Sequence, residues 1–243
     1  MVEGKMMKMI RKTLGNLIES VWRANLRLKS SGLVILTWGN VSAIDRKRSL
    51  VAIKPSGVDY SVLRTDDIVL TDLDGKPIES TLRPSSDLPT HLVLYKAFPE
   101  IGAIVHTHST YATAFAQACR SLPCLGTTHA DIFYGEIPVT DVMSRKDVDT
   151  DYETHTGDMI AKKLRKLKIN PMDCPSIFVA GHGPFSWGET AAKAVENAIA
   201  LEEVCRMECL TFSLANDVKP IPQFLLDKHF LRKHGKRSYY GQK

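Results

Sequence analysis

The sequence predicts a single α/β domain, spanning residues 1–243, in which helices cover a central and mainly antiparallel sheet. The length of 243 residues and the apolar content of 44% suit one domain with a sizeable core. Segments with helical periodicity alternate with short apolar runs typical of strands, which is the pattern of an α/β protein. Several links between the expected strands are short, and short links favour antiparallel neighbours. The chain contains no internal repeat and no linker rich in proline, glycine or serine.

Apolar spacing and turn residues give the order of the expected elements. Ile10, Leu14 and Leu17 recur at three- and four-residue spacing and predict a first helix that ends near residues 29–32. We expect strands at residues 33–36, 50–53, 68–71, 103–108 and 176–180, and further helices from residue 88 to about 99, at residues 111–119, around residues 159–167 and at residues 189–210. Asp74 and Gly75 predict a hairpin turn after the third strand.

The net charge of +5 comes largely from basic residues near the two ends of the chain. Solvated helix faces or an anionic substrate account for this charge at least as well as nucleic acid does. The sequence also lacks an aromatic and basic motif of the RNA-binding type. We therefore expect no nucleic-acid partner.

Cysteine usage and hydropathy indicate the compartment. The five cysteines are odd in number and form no CxxC pair, so they predict neither a disulfide framework nor a thiolate zinc site. No apolar run approaches the length of about 18 residues that a membrane span needs. We expect a cytoplasmic protein with no membrane segment.

Two histidines end the expected strand at residues 103–108. Residues two apart in a strand point to the same face, so His106 and His108 present both imidazoles to one side. His182 stands between two glycines at the end of another expected strand, where the backbone can approach other groups closely. With Asp87 as a candidate oxygen ligand, this set suits Zn²⁺ or another first-row divalent ion. The alternatives are surface histidines, a loop histidine and an aspartate that only caps a helix.

Three short polar segments follow expected strands or begin an expected helix. Their backbone amides, hydroxyl groups and one ammonium could hold a phosphate group. Plain turns are the alternative, because the sequence contains no GxxxxGK[ST] or GxGxxG motif. The candidate substrate-binding residues are Gly39, Asn40, Lys54, Ser56, Gly57, Ser85, Ser86 and Asp87. A further polar segment, residues 126–131, forms either a site or a well-bonded turn.

Seven short segments, in one order along the chain, resemble those of the L-ribulose-5-phosphate 4-epimerases of the class II aldolase family. They are Leu36-Thr37-Trp38-Gly39-Asn40-Val41-Ser42, Ile53-Lys54-Pro55-Ser56-Gly57-Val58, Pro84-Ser85-Ser86-Asp87, His106-Thr107-His108-Ser109, Gly126-Thr127-Thr128-His129-Ala130-Asp131, Gly181-His182-Gly183-Pro184 and Tyr239-Tyr240-Gly241-Gln242. The resemblance covers nearly the whole chain.

The resemblance implies a function and a set of residue roles. It implies a zinc site of His106, His108, His182 and Asp87 and a phosphate pocket around Asn40, Ser56, Gly57, Ser85 and Ser86. Asp131 and Tyr240 match the catalytic acid/base positions. The implied substrate is a pentulose 5-phosphate, whose C3–C4 bond is cleaved and re-formed after the aldehyde fragment rotates. The implied assembly is a homotetramer with active sites at the subunit interfaces.

Two points of the pattern separate this chain from relatives. The related L-fuculose-1-phosphate aldolase carries glutamate where this chain has Asp87, which favours the epimerase. Ala180 and Gly181 stand where the pattern has a histidine and a serine, so we expect weaker support for His182. The rival functions are an aldolase or dehydratase acting on another sugar phosphate, a scaffold without chemistry such as the adducin head, and a nucleic-acid binder.

Overall fold

An antiparallel sheet of seven strands forms the centre of the computed structural model, which describes residues 9–215, 217–234 and 239. The strands are β1 (Gly39–Asp45), β2 (Leu50–Ile53), β3 (Val69–Asp72), β4 (Pro77–Glu79), β5 (Ala103–Thr107), β6 (Ser176–Phe178) and β7 (Pro184–Gly188). Their order is β4-β3-β2-β1-β5-β7-β6, and all neighbouring pairs are antiparallel. The predicted fold class is confirmed.

Helices cover both faces of this sheet. They are α1 (Gly15–Ser30), α2 (Leu88–Ala97), α3 (Thr110–Gln117), α4 (Thr127–Ala130), α5 (Arg145–Lys166), α6 (Ala191–Leu214) and α7 (Gln223–His234). One apolar cluster joins α1 and the first turns of α6 to one face, and a second joins α2 and the last turns of α5 to the other face. Within the described ranges, no helix combines the length and the apolar character that a membrane span needs.

The packing of β5 fixes the face to which the histidines point. Ala103 and Val105 belong to the cluster with α1 and α6, whereas Ile104 belongs to the cluster with α2 and α5. Both faces are buried, so a slip of one residue would force each side chain into the packing of the opposite cluster, where a poor fit typically costs about 1–3 kcal/mol. His106 has the same parity as Ile104, so its side chain lies on the α2 and α5 side of the sheet.

The strand predicted at residues 33–36 is wrong. Leu33 and Val34 are buried, but Leu36 has a φ of 54° and the chain turns before β1 starts at Gly39. Gly39 and Asn40, read from the sequence as a turn, are therefore the first two residues of a strand. A Cβ at Gly39 would lie 2.9 Å from the carbonyl oxygen of His106, so only glycine allows β1 to approach β5 this closely.

Two other elements differ from the prediction. The sequence predicts no strand after His182 and its glycines, yet β7 lies there, with two fully buried aromatic residues, Phe185 and Trp187, at alternate positions. Helix α5 begins at Arg145, well before the predicted region around residues 159–167, because its first turns are polar and carry no apolar periodicity. This helix is interrupted at Asp151, which has a φ of −141° and a ψ of 75°.

Candidate active site

Three imidazoles converge at the end of β5. The Nε2 atoms of His106 and His108 are 3.1 Å apart, and the ring of His182 lies 4.7 Å and 5.0 Å from their two ring centres. One ring nitrogen from each residue lies within 4.8 Å of the others, and the three form a group that could hold a metal ion. We call these residues the histidine group. The structure therefore brings the three predicted histidines together.

Glycines allow the turn that carries His182 to reach β5. Gly181 has a φ of 72°, a conformation that side chains with a Cβ rarely adopt. A Cβ at Gly183 would lie 2.7 Å from the carbonyl oxygen of Thr107, so this turn packs directly against the backbone of β5. The backbone approaches β5 closely at these glycines, as predicted, because neither residue has a Cβ.

The chemistry of the histidine group fits a divalent metal ion. Burial, together with the neighbouring His106 and His108, lowers the pKa of His182 to about 3. Burial and His106 also hold the pKa of His108 below its usual range. These imidazoles are therefore neutral at physiological pH and keep lone pairs for a metal. Tetrahedral ligands at about 2.0–2.1 Å from zinc are about 3.3 Å apart, which is close to the spacing of the His106 and His108 nitrogens.

Two hydrogen bonds orient the rings of the histidine group. His106 Nδ1 lies 3.0 Å from the carbonyl oxygen of Pro184, which can only accept, so Nδ1 carries the proton and Nε2 keeps the lone pair. Phe185 stacks on the same ring at 4.3 Å. His182 Nδ1 lies 3.1 Å from the hydroxyl of Tyr152 on α5. The side-chain hydrogen bond of His182 is thus made with α5 and not with the residues that precede His182 in the sequence.

Asp87 lines the same pocket but makes no side-chain hydrogen bond that caps α2. Its carboxylate accepts a hydrogen bond of 2.6 Å from the Asn40 amide and a longer one of 3.4 Å from the Ser85 hydroxyl. Burial acts to raise the pKa of Asp87, but nearby histidines and Asn40 hold it below the usual range. Asp87 is outside the set of ligand atoms within 4.8 Å, so its role as a metal ligand stays a prediction.

The predicted phosphate-binding segments share one cavity of about 390 Å³ with the histidine group. All eight candidate substrate-binding residues line it, namely Gly39, Asn40, Lys54, Ser56, Gly57, Ser85, Ser86 and Asp87. Two backbone hydrogen bonds join the second segment to the third, from Ser56 to Arg83 at 3.0 Å and from Ser85 to Lys54 at 3.0 Å. The Asn40 amide donates a hydrogen bond of 3.0 Å to the Ser85 hydroxyl, so the three segments are parts of one wall.

Lys54 is buried within this wall. Its ammonium donates a hydrogen bond of 2.6 Å to the carbonyl oxygen of Val58 and lies 4.7 Å from the centre of the Tyr60 ring. Burial lowers the pKa of Lys54 to about 8. The cation is thus held by the protein at a fixed position beside the cavity.

Five further residues line the cavity, and the sequence gave them no role. They are Thr37, Trp38, Pro55, Tyr152 and Glu153. Thr37 and Trp38 lie in the segment that carries Asn40, and this proximity was the signal that could have found them. Tyr152 and Glu153 lie directly after the interruption of α5, in a polar stretch that offers no sequence signal.

Asp131 lies outside this cavity. It follows α4 and contacts three basic residues of α7 in what we call the Asp131 cluster: Asp131, His229, Arg232 and Lys233. The hydrogen bonds from His229 and Arg232 measure 2.9–3.0 Å, and Lys233 Nζ lies 3.1 Å away. Burial acts to raise the pKa of Asp131, but the three basic side chains hold it below the usual range. Tyr240 lies outside the described residues.

The fold and this site define the class of protein. The family model described as Class II Aldolase and Adducin N-terminal domain matches residues 19–209, and the chain belongs to this family.

Within this family, the chain is similar in sequence to L-ribulose-5-phosphate 4-epimerases. The chain is 51% identical over 225 residues to the L-ribulose-5-phosphate 4-epimerase UlaF of Salmonella paratyphi A, and the match covers 93% of this chain and 98% of that relative. The UlaF protein of Salmonella typhi matches with the same identity and coverage. Among solved structures, an L-fuculose 1-phosphate aldolase aligns with a TM-score of 0.74 and 23% identity over 88% of this chain and 94% of that chain. That last likeness shows the fold alone.

Proposed function

We propose that this protein is a metal-dependent L-ribulose-5-phosphate 4-epimerase that interconverts L-ribulose 5-phosphate and D-xylulose 5-phosphate. The observation that carries the proposal is the shared cavity, in which the histidine group faces three polar segments suited to a phosphate. The identity of 51% to an epimerase over nearly the whole chain supports this substrate. The reaction is retro-aldol cleavage of the C3–C4 bond, rotation of glycolaldehyde phosphate, and re-addition.

His106, His108 and His182 would hold the ion, with Asp87 as the fourth ligand. We propose Zn²⁺ or another first-row divalent ion, which supplies Lewis-acid stabilisation for the negative charge of the enediolate. The Asn40 amide, which donates to the Asp87 carboxylate at 2.6 Å, holds that carboxylate beside the histidines.

The polar segments would bind the phosphate of the substrate. Hydroxyl groups of Ser56, Ser85 and Ser86 and backbone amides near Gly57 line one wall, and the Lys54 cation lies within it. This wall has a second task, because glycolaldehyde phosphate must stay bound between cleavage and re-addition. A phosphate held by several fixed donors keeps the fragment in the cavity while its aldehyde turns.

Proton transfer is assigned to Asp131 and Tyr240. The C4 hydrogen is not acidic, so the reaction needs a base for the C4 hydroxyl and an acid on the other face of the aldehyde. Asp131 does not line the cavity of its own chain. We therefore propose a homotetramer in which the Asp131 cluster and the segment around Tyr240 complete the cavity of a neighbouring copy.

We propose that the protein works in the cytoplasm without a nucleic-acid partner. All five cysteines are free, and several are buried, which suits a reducing compartment. The cavity that we assign to the substrate has a volume suited to a small phosphorylated sugar.

The test is to follow L-ribulose 5-phosphate by NMR with and without a chelator. We expect D-xylulose 5-phosphate to form and its formation to stop when the metal is removed. Accumulation of free glycolaldehyde phosphate would instead assign the protein as an aldolase. Absence of both reactions with metal bound would overturn the proposal.

A further inference from the structure

We propose that Tyr152 is a positioning residue for the metal ligand His182. In this proposal its phenol oxygen accepts the Nδ1 proton of His182, so that Nε2 presents its lone pair to the other two histidines. The proposal rests on the metal site that the proposed function uses. Tyr152 itself is given no step in the reaction.

The position of Tyr152 decides which nitrogen of His182 can bind a metal. The two residues are in hydrogen-bond contact, with 3.1 Å between the hydroxyl oxygen and Nδ1. A neutral imidazole carries one proton, and a tyrosine hydroxyl can either donate or accept. If the hydroxyl donates to Nδ1, the proton sits on Nε2 and blocks it. If Nδ1 donates to the hydroxyl oxygen, Nε2 is free to bind the ion.

His182 needs this contact because the residues next to it in the sequence offer little support. Ala180 and Gly181 precede it and carry no polar side-chain atom. The turn itself is held through the backbone, where the amide of His182 donates to the carbonyl oxygen of Val179 at 3.0 Å. These backbone contacts fix the Cα position but leave the rotation of the ring open. Neighbouring rings pack against the imidazole, and Tyr152 adds a side-chain hydrogen bond that sets its orientation.

Helix α5 holds Tyr152 in place independently of His182. A Cβ at Gly157 would lie 2.7 Å from Cβ of Val93 and 3.0 Å from the carbonyl oxygen of Thr90, so α5 and α2 are in direct backbone contact there. The Thr90 hydroxyl also donates a hydrogen bond of 2.6 Å to the carbonyl oxygen of Glu153. The residue after Tyr152 is therefore bonded to α2, whose first residue follows Asp87.

The interruption of α5 gives Tyr152 its direction. Asp151 leaves helical geometry with a ψ of 75°, and the next two residues line the cavity. Two helical parts of α5 therefore meet at a kink, and Tyr152 lies at the start of the second part. Here the interruption lies directly before the tyrosine that contacts the histidine group, which is a second observation in favour of a functional role.

The experiment measures the affinity of the metal-free protein for Zn²⁺ alone, by competition with a chromophoric chelator. Loss of a group that orients a metal ligand typically weakens binding by about 10–100-fold. Because Tyr152 is only partly buried, water can replace part of its hydrogen bond, and we expect Tyr152→Phe to weaken Zn²⁺ binding by about tenfold. The thermal midpoint of the metal-free variant should stay near that of the unaltered protein.

Two comparisons separate a positioning role from a general structural one. Tyr134 lies away from the cavity, and its hydroxyl donates a hydrogen bond of 2.6 Å to Asp227. Tyr134→Phe removes this hydroxyl and should leave the Zn²⁺ affinity within about twofold of that of the unaltered protein. In a His182→Ala background, Tyr152→Phe should have no further effect on Zn²⁺ affinity, because the residue acts through His182. An unchanged affinity of Tyr152→Phe, or an equal loss in the His182→Ala background, would overturn the proposal.

The same measurements keep this inference apart from the proposed function. Zn²⁺ affinity is read without substrate, whereas epimerase activity is read on L-ribulose 5-phosphate. Tenfold weaker Zn²⁺ binding by Tyr152→Phe supports the positioning role even if the unaltered protein does not turn over this substrate. If the unaltered protein is active and Tyr152→Phe binds Zn²⁺ as tightly as the unaltered protein does, the positioning role is overturned and the proposed function is not.

Discussion

The histidine group and the Asp131 cluster are built in opposite ways. The histidine group is carried by β5 and the β6–β7 turn, in the middle of a sheet whose packing fixes the faces. The Asp131 cluster joins a four-residue helix to α7, the last helix of the described chain. The first is a rigid site within one chain, and the second depends on two peripheral helices.

The two regions also differ in what surrounds their titratable groups. Imidazoles face a carboxylate in the first, and a carboxylate faces three basic side chains in the second. The first arrangement suits a metal cation, and the second keeps an acid ionised. The difference teaches that one chain brings together the three histidines that could hold a metal ion but does not bring its own Asp131 to their cavity.

The largest expected effect tests the histidine group. His106→Ala removes a proposed ligand, and loss of the ion costs several kcal/mol of transition-state stabilisation, so kcat/KM for L-ribulose 5-phosphate should fall by at least about 1000-fold. NMR turnover and the zinc content per chain are the measurements. His155→Ala, at a histidine that does not line the cavity, is the matched control. A variant that loses its zinc and keeps its activity would contradict the assignment.

The second prediction tests the Asp131 cluster. Asp131→Asn removes the proposed general acid/base and should lower kcat by about 100-fold, while the zinc content stays unchanged. Mixed assemblies of the His106→Ala and Asp131→Asn chains should regain activity, because some cavities then combine an intact histidine group with an intact neighbouring Asp131. If mixed assemblies form and stay inactive, Asp131 does not serve a neighbouring copy.

The smallest expected effect concerns Lys54. Its pKa is lowered to about 8 by burial, so the side chain is cationic below this pH and neutral above it. A phosphate that needs the cation should then bind less well, and kcat/KM should fall by up to about tenfold from pH 8 to pH 9. Lys54→Arg keeps its charge and should show no such step. A pH profile that is the same for both proteins would exclude Lys54 from phosphate binding.

Raising the pH through the pKa of Lys54 should weaken substrate binding but increase the free energy of unfolding. The folded-state pKa of Lys54 lies below the unfolded value, so between about pH 8 and pH 10.5 the unfolded chain binds more protons. The buried ammonium lowers the free energy of unfolding below about pH 8, and this cost disappears as the pH rises through that interval. Denaturant unfolding at pH 7 and pH 10 in the Lys54→Met variant, compared with the unaltered protein, isolates this effect.

The sequence was sufficient where one local rule decides the structure. The apolar run before His106 predicts a buried strand, and the period of two places His108 on the same side. The hairpin at Asp74 and Gly75 and the strand Leu50–Ile53 follow equally local signals and are confirmed. The family resemblance then supplied the roles of Asp131 and Tyr240, which no local pattern contains.

The sequence was insufficient where tertiary contacts decide. Asp87 resembled a helix cap, but its carboxylate turns to Asn40 on β1, a neighbour 47 residues away in the chain. Gly39 resembled a turn residue, but it begins a strand because β5 requires close approach. The polar start of α5 concealed Tyr152, since nothing in its own segment indicates that α2 will hold it over the cavity.

The interruption of α5 at Asp151 has an evolutionary consequence. From Gly157 onward the helix is anchored by packing on α2, whereas the residues before the interruption are mostly polar and mostly exposed. Substitutions and length changes in that first part can accumulate without disturbing the strands that carry the imidazoles. A lineage can therefore vary the residues of α5 before Asp151, none of which lines the cavity, while the histidine group is inherited unchanged.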